Sequence, residues 1–270
     1  MIIDSDKENY QQCLNLMIST GLSKDEQQLE QQNVQIREAV YSFLGAIYLQ
    51  PISEASLRKI CDELFLNDLA EVLPGEATAE FQYFLSNLDA SSLTNELTAL
   101  KKTYMSLFAV PTGRYVSPFE DIYRGKTSDG QLQRGPLLGV RAIAAKRLYR
   151  EAGAQMDNCC RELPNHIGVE LSFMHFLCEQ EAAALIDNHV TDQKDTDASV
   201  FSLAEIYRAY QIRFLREHLT QWFPLLNEEI QSKSDHVFYR SISNMTQAYL
   251  QQDLAILKQQ FINRIPNGLC

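Results

Sequence analysis

The chain has 270 residues, 45% of them hydrophobic and 22% charged, and its 24 Lys and Arg stand against 35 Asp and Glu for a formal net charge of -11. That length allows one large domain or two small ones, and the balance of apolar to charged residues excludes wholesale disorder. The acidic excess repels nucleic-acid phosphates over most of the surface and favours a basic ligand.

In chain order, the N-terminus MIIDSDKENYQQ lacks a basic segment followed by an apolar run. No stretch approaches the roughly 18 uninterrupted apolar residues of a membrane span, so a cytoplasmic location with reduced thiols is expected. Residues 1–32 read as an N-terminal extension, a short helix followed by a Gln/Glu-rich linker at 26–32. The six cysteines, Cys13, Cys61, Cys159, Cys160, Cys178 and Cys270, have no repeated CxxC spacing, which indicates neither a zinc framework nor a disulfide scaffold.

Apolar residues then recur at helical spacing: Ile36, Val40, Phe43, Leu44 and Ile47; Ile167, Leu171, Met174 and Cys178; Ile242, Met245, Tyr249 and Ile256. Strand-like alternation is nearly missing, and the 11 Gly and 8 Pro fall mostly outside these windows. The fold class expected is all-α. Between two helical lobes, the span from Ala109 to Pro136 holds Pro111, Gly113, Pro118, Gly125, Gly130, Gly135 and Pro136 and cannot be one continuous helix. Its length and its aromatics Tyr115, Phe119 and Tyr123 predict a packed loop that binds something.

Glu162-Leu-Pro-Asn-His166 comes next, and Pro164 with Asn165 suits a break that leads into a helix from Ile167 to about Leu185. His166 then sits at a helix N-terminus, where the partial positive charge disfavours protonation and leaves an imidazole that both donates and accepts. Two readings stand side by side: His166 grips a peptide backbone, or Asn165 caps the helix while His166 packs. Asp187 to Ser199 is polar and charged and predicts an exposed helix connection. Trp222, the only Trp, is expected as a core anchor, and His218 and His236 as structural.

An enzymatic reading finds little support in the motifs. There is no GxxxxGK[ST] loop, no GxGxxG after a strand and no HExxH. Cys159, Cys160, Glu162 and His166 form the alternative, a small metal-binding protein or enzyme built on the His166 region, although their spacing matches no established zinc pattern.

ELPNHIGVELSFMHFL at 162–177 resembles the signature of the TorD/DmsD/NarJ family, in which an acidic residue, a proline, an Asp and a His precede an apolar helix. Three further stretches match in the family's order: YMSLF at 104–108 followed by PFEDIY at 118–123, HLTQWFP at 218–224, and HVFYR at 236–240. The similar region runs over about residues 33–265; one departure is Asn165, where the family has Asp. The resemblance implies an all-helical cytoplasmic chaperone, without catalysis or cofactor of its own. It would bind the apo-form of a molybdopterin-dependent oxidoreductase and its twin-arginine signal peptide until the cofactor is inserted.

On that reading Tyr104, Leu107, Phe108, Pro118, Phe119, Glu120, Tyr123, Glu162, Pro164, Asn165 and His166 make the client site. Glu120, Asp121, Glu162 and Glu170 would face the Arg-Arg pair, and the aromatic residues would take the apolar stretch that follows. For Leu107 and Phe108, core packing is the favoured alternative. The NarJ-like branch implies binding to the client body instead of its signal peptide, GTP binding has been suggested for relatives, and relatives form homodimers by exchange of helical segments, for which the long loop is a hinge.

Overall fold

A computed structural model describes residues 24–61, 75–88, 92–111, 113–125, 127–128, 131–132, 134–157, 160–190 and 202–263. Helices carry these residues: Lys24–Leu49 (α1), Glu54–Ile60 (α2), Gly75–Ser86 (α3), Leu93–Tyr104 (α4), Glu120–Tyr123 (α5), Val140–Glu151 (α6), Ile167–Val190 (α7), Leu203–Phe214 (α8), Thr220–Lys233 (α9) and Val237–Asn263 (α10). The all-α expectation holds; among the described residues the extended pairing is confined to a two-residue ladder, Thr127–Ser128 (β1) against Gln131–Leu132 (β2), and one bridge described below. No helix among the described residues is long and apolar enough to cross a membrane.

The local sequence explains where helices begin. Ser53 caps α2 by accepting from the Ser56 N–H, and Glu54 in its first turn complements the helix dipole. Ser202 and Glu205 form a reciprocal capping box at the start of α8. One expectation is corrected here. The run at 26–32 is not a linker but the first turns of α1, because Gln and Glu are good helix formers and the amphipathic stretch behind them extends the helix N-terminally. Residues 187–190 likewise continue α7, and the rest of the expected connection, 191–199, lies outside the described residues, as do residues 1–23 and Cys13, Cys159 and Cys270.

Helix α7 is the spine: α1 packs along it and α8 against it, while α10 packs on α9 and α3. Two glycines bring α1 and α7 together. A Cβ on Gly168 would fall 2.5 Å from Leu49 Cγ, and one on Gly45 would fall 3.2 Å from Ser172 Oγ, so the missing side chains set the helix separation. Around this contact one apolar cluster runs from Val34 to Leu257, with Tyr41, Tyr48, Phe81, Phe214, Trp222, Phe223 and Phe238 at its centre. Trp222 is fully buried, as expected.

The same helices are tied by a buried polar network. Arg37 of α1 donates to Asp253 of α10 at 2.6 and 3.1 Å and to Gln211 of α8, and lies 3.4 Å from Glu181 of α7. Glu181 also accepts from Arg208 at 2.8 Å and from Gln211 at 2.7 Å, and Tyr41 donates to Asp253 at 2.6 Å.

Two helices end in a widened turn. Met105–Ala109 closes α4 and Leu215–Leu219 joins α8 to α9, each with π-helical hydrogen bonding. In the second, Thr220 Oγ1 and Gln221 Nε2 donate to the carbonyls of Leu215 and Arg216. Those bonds help to satisfy carbonyls of the widened turn, and Pro224 follows inside α9. The first turn falls on YMSLF and the second leads into HLTQWFP, stretches that carry the family resemblance.

Candidate functional site

The loop after α4 returns across the start of α7 as a single extended rung. Ile167 N–H donates to Pro118 O at 2.8 Å and Glu120 N–H to Asn165 O at 2.9 Å, which closes an antiparallel bridge between Phe119 and His166. Their rings meet edge to face at 5.2 Å. The segments 118–123 and 162–166, bridged by residues 47 positions apart, therefore share one structural unit.

Asn165 and Asp121 organise this unit. The Asp121 carboxylate accepts the backbone N–H groups of Gly139, Arg141 and Ala142 at 3.1, 3.0 and 2.9 Å, so it caps α6 from a distant segment. Gly139 is required there, since a Cβ would fall 2.4 Å from Asp121 Oδ1. Asn165 Nδ2 donates to Asp121 Oδ2 at 2.9 Å and to Leu137 O at 3.2 Å, and Tyr149 OH holds Pro164 O at 2.6 Å. The cap of α7 is thus not Asn165. His166 Nδ1 accepts the Gly168 N–H at 3.0 Å, and the two roles are exchanged relative to the packing alternative drawn from sequence.

With Nδ1 accepting, the His166 proton lies on Nε2, whose nearest carboxylate oxygen, on Glu162, is 3.9 Å away and beyond hydrogen-bond length. Burial depresses the imidazole from its ordinary 6.5 to about 4, so the ring is neutral at physiological pH. The unfolded chain takes up this proton at a higher pH than the folded one, so stability is complete above 6.5 and is lost as pH falls toward 4. His166→Asn, which keeps an acceptor for Gly168, should escape roughly 3 kcal/mol of that loss. Urea titrations of both chains at pH 7 and pH 4 check this, and parallel pH profiles would refute it.

Below the bridge lies a second, largely buried polar group. Glu120 accepts from Arg124 at 2.6 Å and pairs with His218 Nδ1 at 2.7 Å, while Arg124 also donates to Glu217 O. Glu170 accepts from Trp222 Nε1 at 2.9 Å. Burial raises the carboxyl of Glu120, but the His218 hydrogen bond and Arg124 outweigh it and hold the group below the usual range. Burial, reinforced by the charge of Glu120, pushes Glu170 well above that range. Donor atoms of Glu120, Glu170 and His218 lie within 4.8 Å of one another. Arg124 already supplies a positive charge to Glu120, and the Trp222 N–H occupies one oxygen of Glu170. It is this trio, and not the His166 region, that brings metal-ligating atoms together among the described residues.

The residues expected to make the site are distributed as follows. Tyr104, Leu107 and Phe108 are buried in the core, where Phe108 meets the rings of Tyr48, Tyr104 and Tyr239. Pro118, Pro164, Asn165 and His166 are buried in the bridge, and Phe119 is half-buried beside them. Tyr123 stacks on Trp222 at 5.5 Å and donates to Glu229 at 2.5 Å. Of the four acidic groups, Glu120, Asp121 and Glu170 are buried and bonded within the chain, and Glu162 presents a side chain 41% exposed. His236 binds Glu96 at 2.8 Å and His218 binds Glu120.

Sequence reasoning missed the apolar rim beside this unit. Leu137, Leu138, Val140 and Ile143 are exposed by 49, 59, 72 and 67%. Two adjacent leucines two and three residues ahead of a solvent-facing Val were the available signal. A separate cleft of about 480 Å³, lined by Lys102, Arg114, Lys233 and His236 among others, shares only Leu107 with the expected set.

Against known proteins, the family described as nitrate reductase delta subunit matches residues 73–228. A chaperone protein TorD of Shewanella sp. (strain ANA-3) is 26% identical over 239 residues, covering 84% of this chain and 98% of that protein. The selenate reductase assembly chaperone protein of Thauera selenatis is 30% identical over 143 residues, covering 52% and 61%. The perchlorate reductase assembly chaperone protein of Dechloromonas aromatica is 28% identical over 112 residues, covering 42% and 44%. With more than half of its length matched and the bridge joining the two segments that first carried the resemblance, this chain belongs to the nitrate reductase delta subunit family, that of the TorD-like and NarJ-like chaperones.

Proposed function

We propose that this protein is a cytoplasmic chaperone that binds an immature molybdenum-cofactor-containing oxidoreductase, including its twin-arginine signal peptide, and assists cofactor insertion before export. It acts by binding and makes or breaks no bond. The observation that carries the reading is the bridge between 118–123 and 162–166 in a chain whose relatives are named as reductase assembly chaperones. Around it stand a half-buried aromatic ring, Phe119, an imidazole N–H with no acceptor within hydrogen-bond length on Glu162, and an exposed carboxylate, Glu162. These supply apolar surface, a donor and one charge for an Arg-containing peptide. Shielding ends when folding of the client removes the recognised conformation.

Affinity capture from anaerobically grown cells, with mass spectrometry of the captured proteins, tests the partner class. Calorimetric titration with the precursor so identified then tests the site. Phe119→Ala should weaken binding about five- to thirtyfold with the thermal melt little changed, as expected for an interface anchor. Undiminished affinity would remove the bridge from the binding surface.

A second reading is favoured by the burial of Glu120, Asp121 and Glu170, which leaves few acidic groups for an Arg-Arg pair. On it the chaperone holds the client body, and a precursor stripped of its signal sequence binds as tightly as the full one.

A further inference from the structure

Helix α6 presents a face that the bridge does not use. Val140, Ile143, Arg147 and Arg150 follow one another at intervals of three, four and three residues, which sets them on one side of the helix. All four are exposed, and Leu137 and Leu138 extend the apolar end. The inward side, Ala142, Ala145, Leu148 and Tyr149, is buried. One end of this stripe is thus apolar and the other cationic.

The charge is the informative part. Lys146, Arg147 and Arg150 lie on α6, Arg213 near the end of α8 reaches Glu151 at the end of α6, and Arg216 follows in the turn after α8. The carboxylates among them are Glu151, 3.5 Å from both Arg147 and Arg213, and Glu217, bonded to Arg213 and Arg216. Lys146 and Arg150 have no acidic partner among the described residues. A chain of net charge -11 therefore carries a local excess of positive charge beside its exposed aliphatic side chains. A surface maintained only for solubility would follow the acidic bias of the whole chain.

We infer that this face docks an amphipathic helix of a partner protein whose apolar stripe is flanked by Asp and Glu. The apolar end takes the stripe, and the cationic end pairs with the flanking acids and sets the direction of docking. The same cations repel a twin-arginine motif, so this surface is distinct from the one beside Phe119. A membrane fits less well, because the remaining acidic surface repels an anionic bilayer while a single helix meets only the patch.

The test uses the full chain and a fluorescein-labelled 18-residue helical peptide with a Leu stripe flanked by Glu, against the same peptide with Lys for Glu. Fluorescence anisotropy at 50 mM salt should show the Glu peptide bound at least about tenfold tighter, with the difference shrinking at 300 mM as screening grows. Ile143→Asp and the double variant Arg147→Glu, Arg150→Glu should each lose about tenfold or more while circular dichroism melts stay near wild type, since these are surface positions. Equal affinity for the two peptides, or unchanged affinity in both variants, overturns the inference. So does tighter binding to phosphatidylglycerol vesicles than to the peptide, or a dimer in sedimentation equilibrium that Ile143→Asp converts to monomer. No client is present in this test, so its failure leaves the chaperone reading standing.

Discussion

Glu181→Leu should destabilise the chain by roughly 3–5 kcal/mol, seen as a fall in melting temperature on the order of 10 °C. The reason lies in what the carboxylate leaves behind. Glu181 has no exposed side-chain surface and sits between Arg37 and Arg208, whose side chains are 11% and 3% exposed. Among the described residues, Arg208 then keeps only Glu30, and Arg37 keeps Asp253 and Gln211. Two guanidinium groups that cannot lose their protons then face an aliphatic side chain in the interior, and burial penalises each. Adding Arg208→Met to Glu181→Leu should recover part of the loss, because it removes the guanidinium stranded by the first change while Arg37 stays in place for Asp253, and an apolar replacement for a charged pair is often neutral where a half-pair is not. Equilibrium unfolding of the single and double variants decides it; a neutral single substitution would mean that apolar packing alone holds α1, α7, α8 and α10 together.

That network was invisible in the sequence, whereas the helices it joins were legible. Apolar periodicity places Val40, Leu44 and Ile47, and Leu171, Met174 and Cys178, on buried faces, and all of them are buried. Ile36 and Ile256 belong to the same patterns yet are 42% exposed, because each stripe is wider than the contact that covers it. A charged residue in a helix reads as solvated by default, so nothing marks Arg37, Glu181, Arg208 and Asp253 as interior until four helices meet. The Gln/Glu-rich start of α1 failed for the opposite reason: polar composition suggested a linker, but intrinsic helix propensity favours the helix.

At the candidate site, the sequence identified both segments and their meeting, but not the orientation of individual side chains. Proline and glycine density marks 109–136 as irregular, and the break at Pro164 marks the start of α7. Which carboxylate faces water depends on long-range partners: Asp121 is consumed in capping α6, Glu120 by His218 and Arg124, and Glu170 by Trp222. The neutral His166 was anticipated from the helix N-terminus, while the structure gives burial as the cause. The exchange of capping roles between Asn165 and His166 has the same origin, since Asn165 is drawn away by Asp121, 44 residues earlier in the chain.

Asn165→Asp turns that contact into a test of why this chain carries an amide where the resemblance leads one to expect a carboxylate. Asn165 Nδ2 donates to Asp121 Oδ2 at 2.9 Å and to Leu137 O at 3.2 Å, and replacing it with a carboxylate sets two acids against each other in a buried turn. Like charges so placed cannot both ionise cheaply, so the introduced carboxyl takes up a proton well above the usual carboxylate range. Its folded-state affinity for the proton then exceeds that of the unfolded chain. The penalty is absent below about pH 4 and grows as pH rises, reaching about 3–4 kcal/mol near pH 7.5. Urea unfolding of wild type and Asn165→Asp at pH 4.5 and 7.5 should therefore give curves that nearly coincide in acid and separate at neutral pH. A protonated carboxyl can still donate to Asp121, so peptide-binding experiments on the variant should show function returning in acid together with stability. A variant as stable as wild type at pH 7.5 would mean that Asp121 caps α6 without the help of Asn165, and that the amide stands there for what it offers to the client.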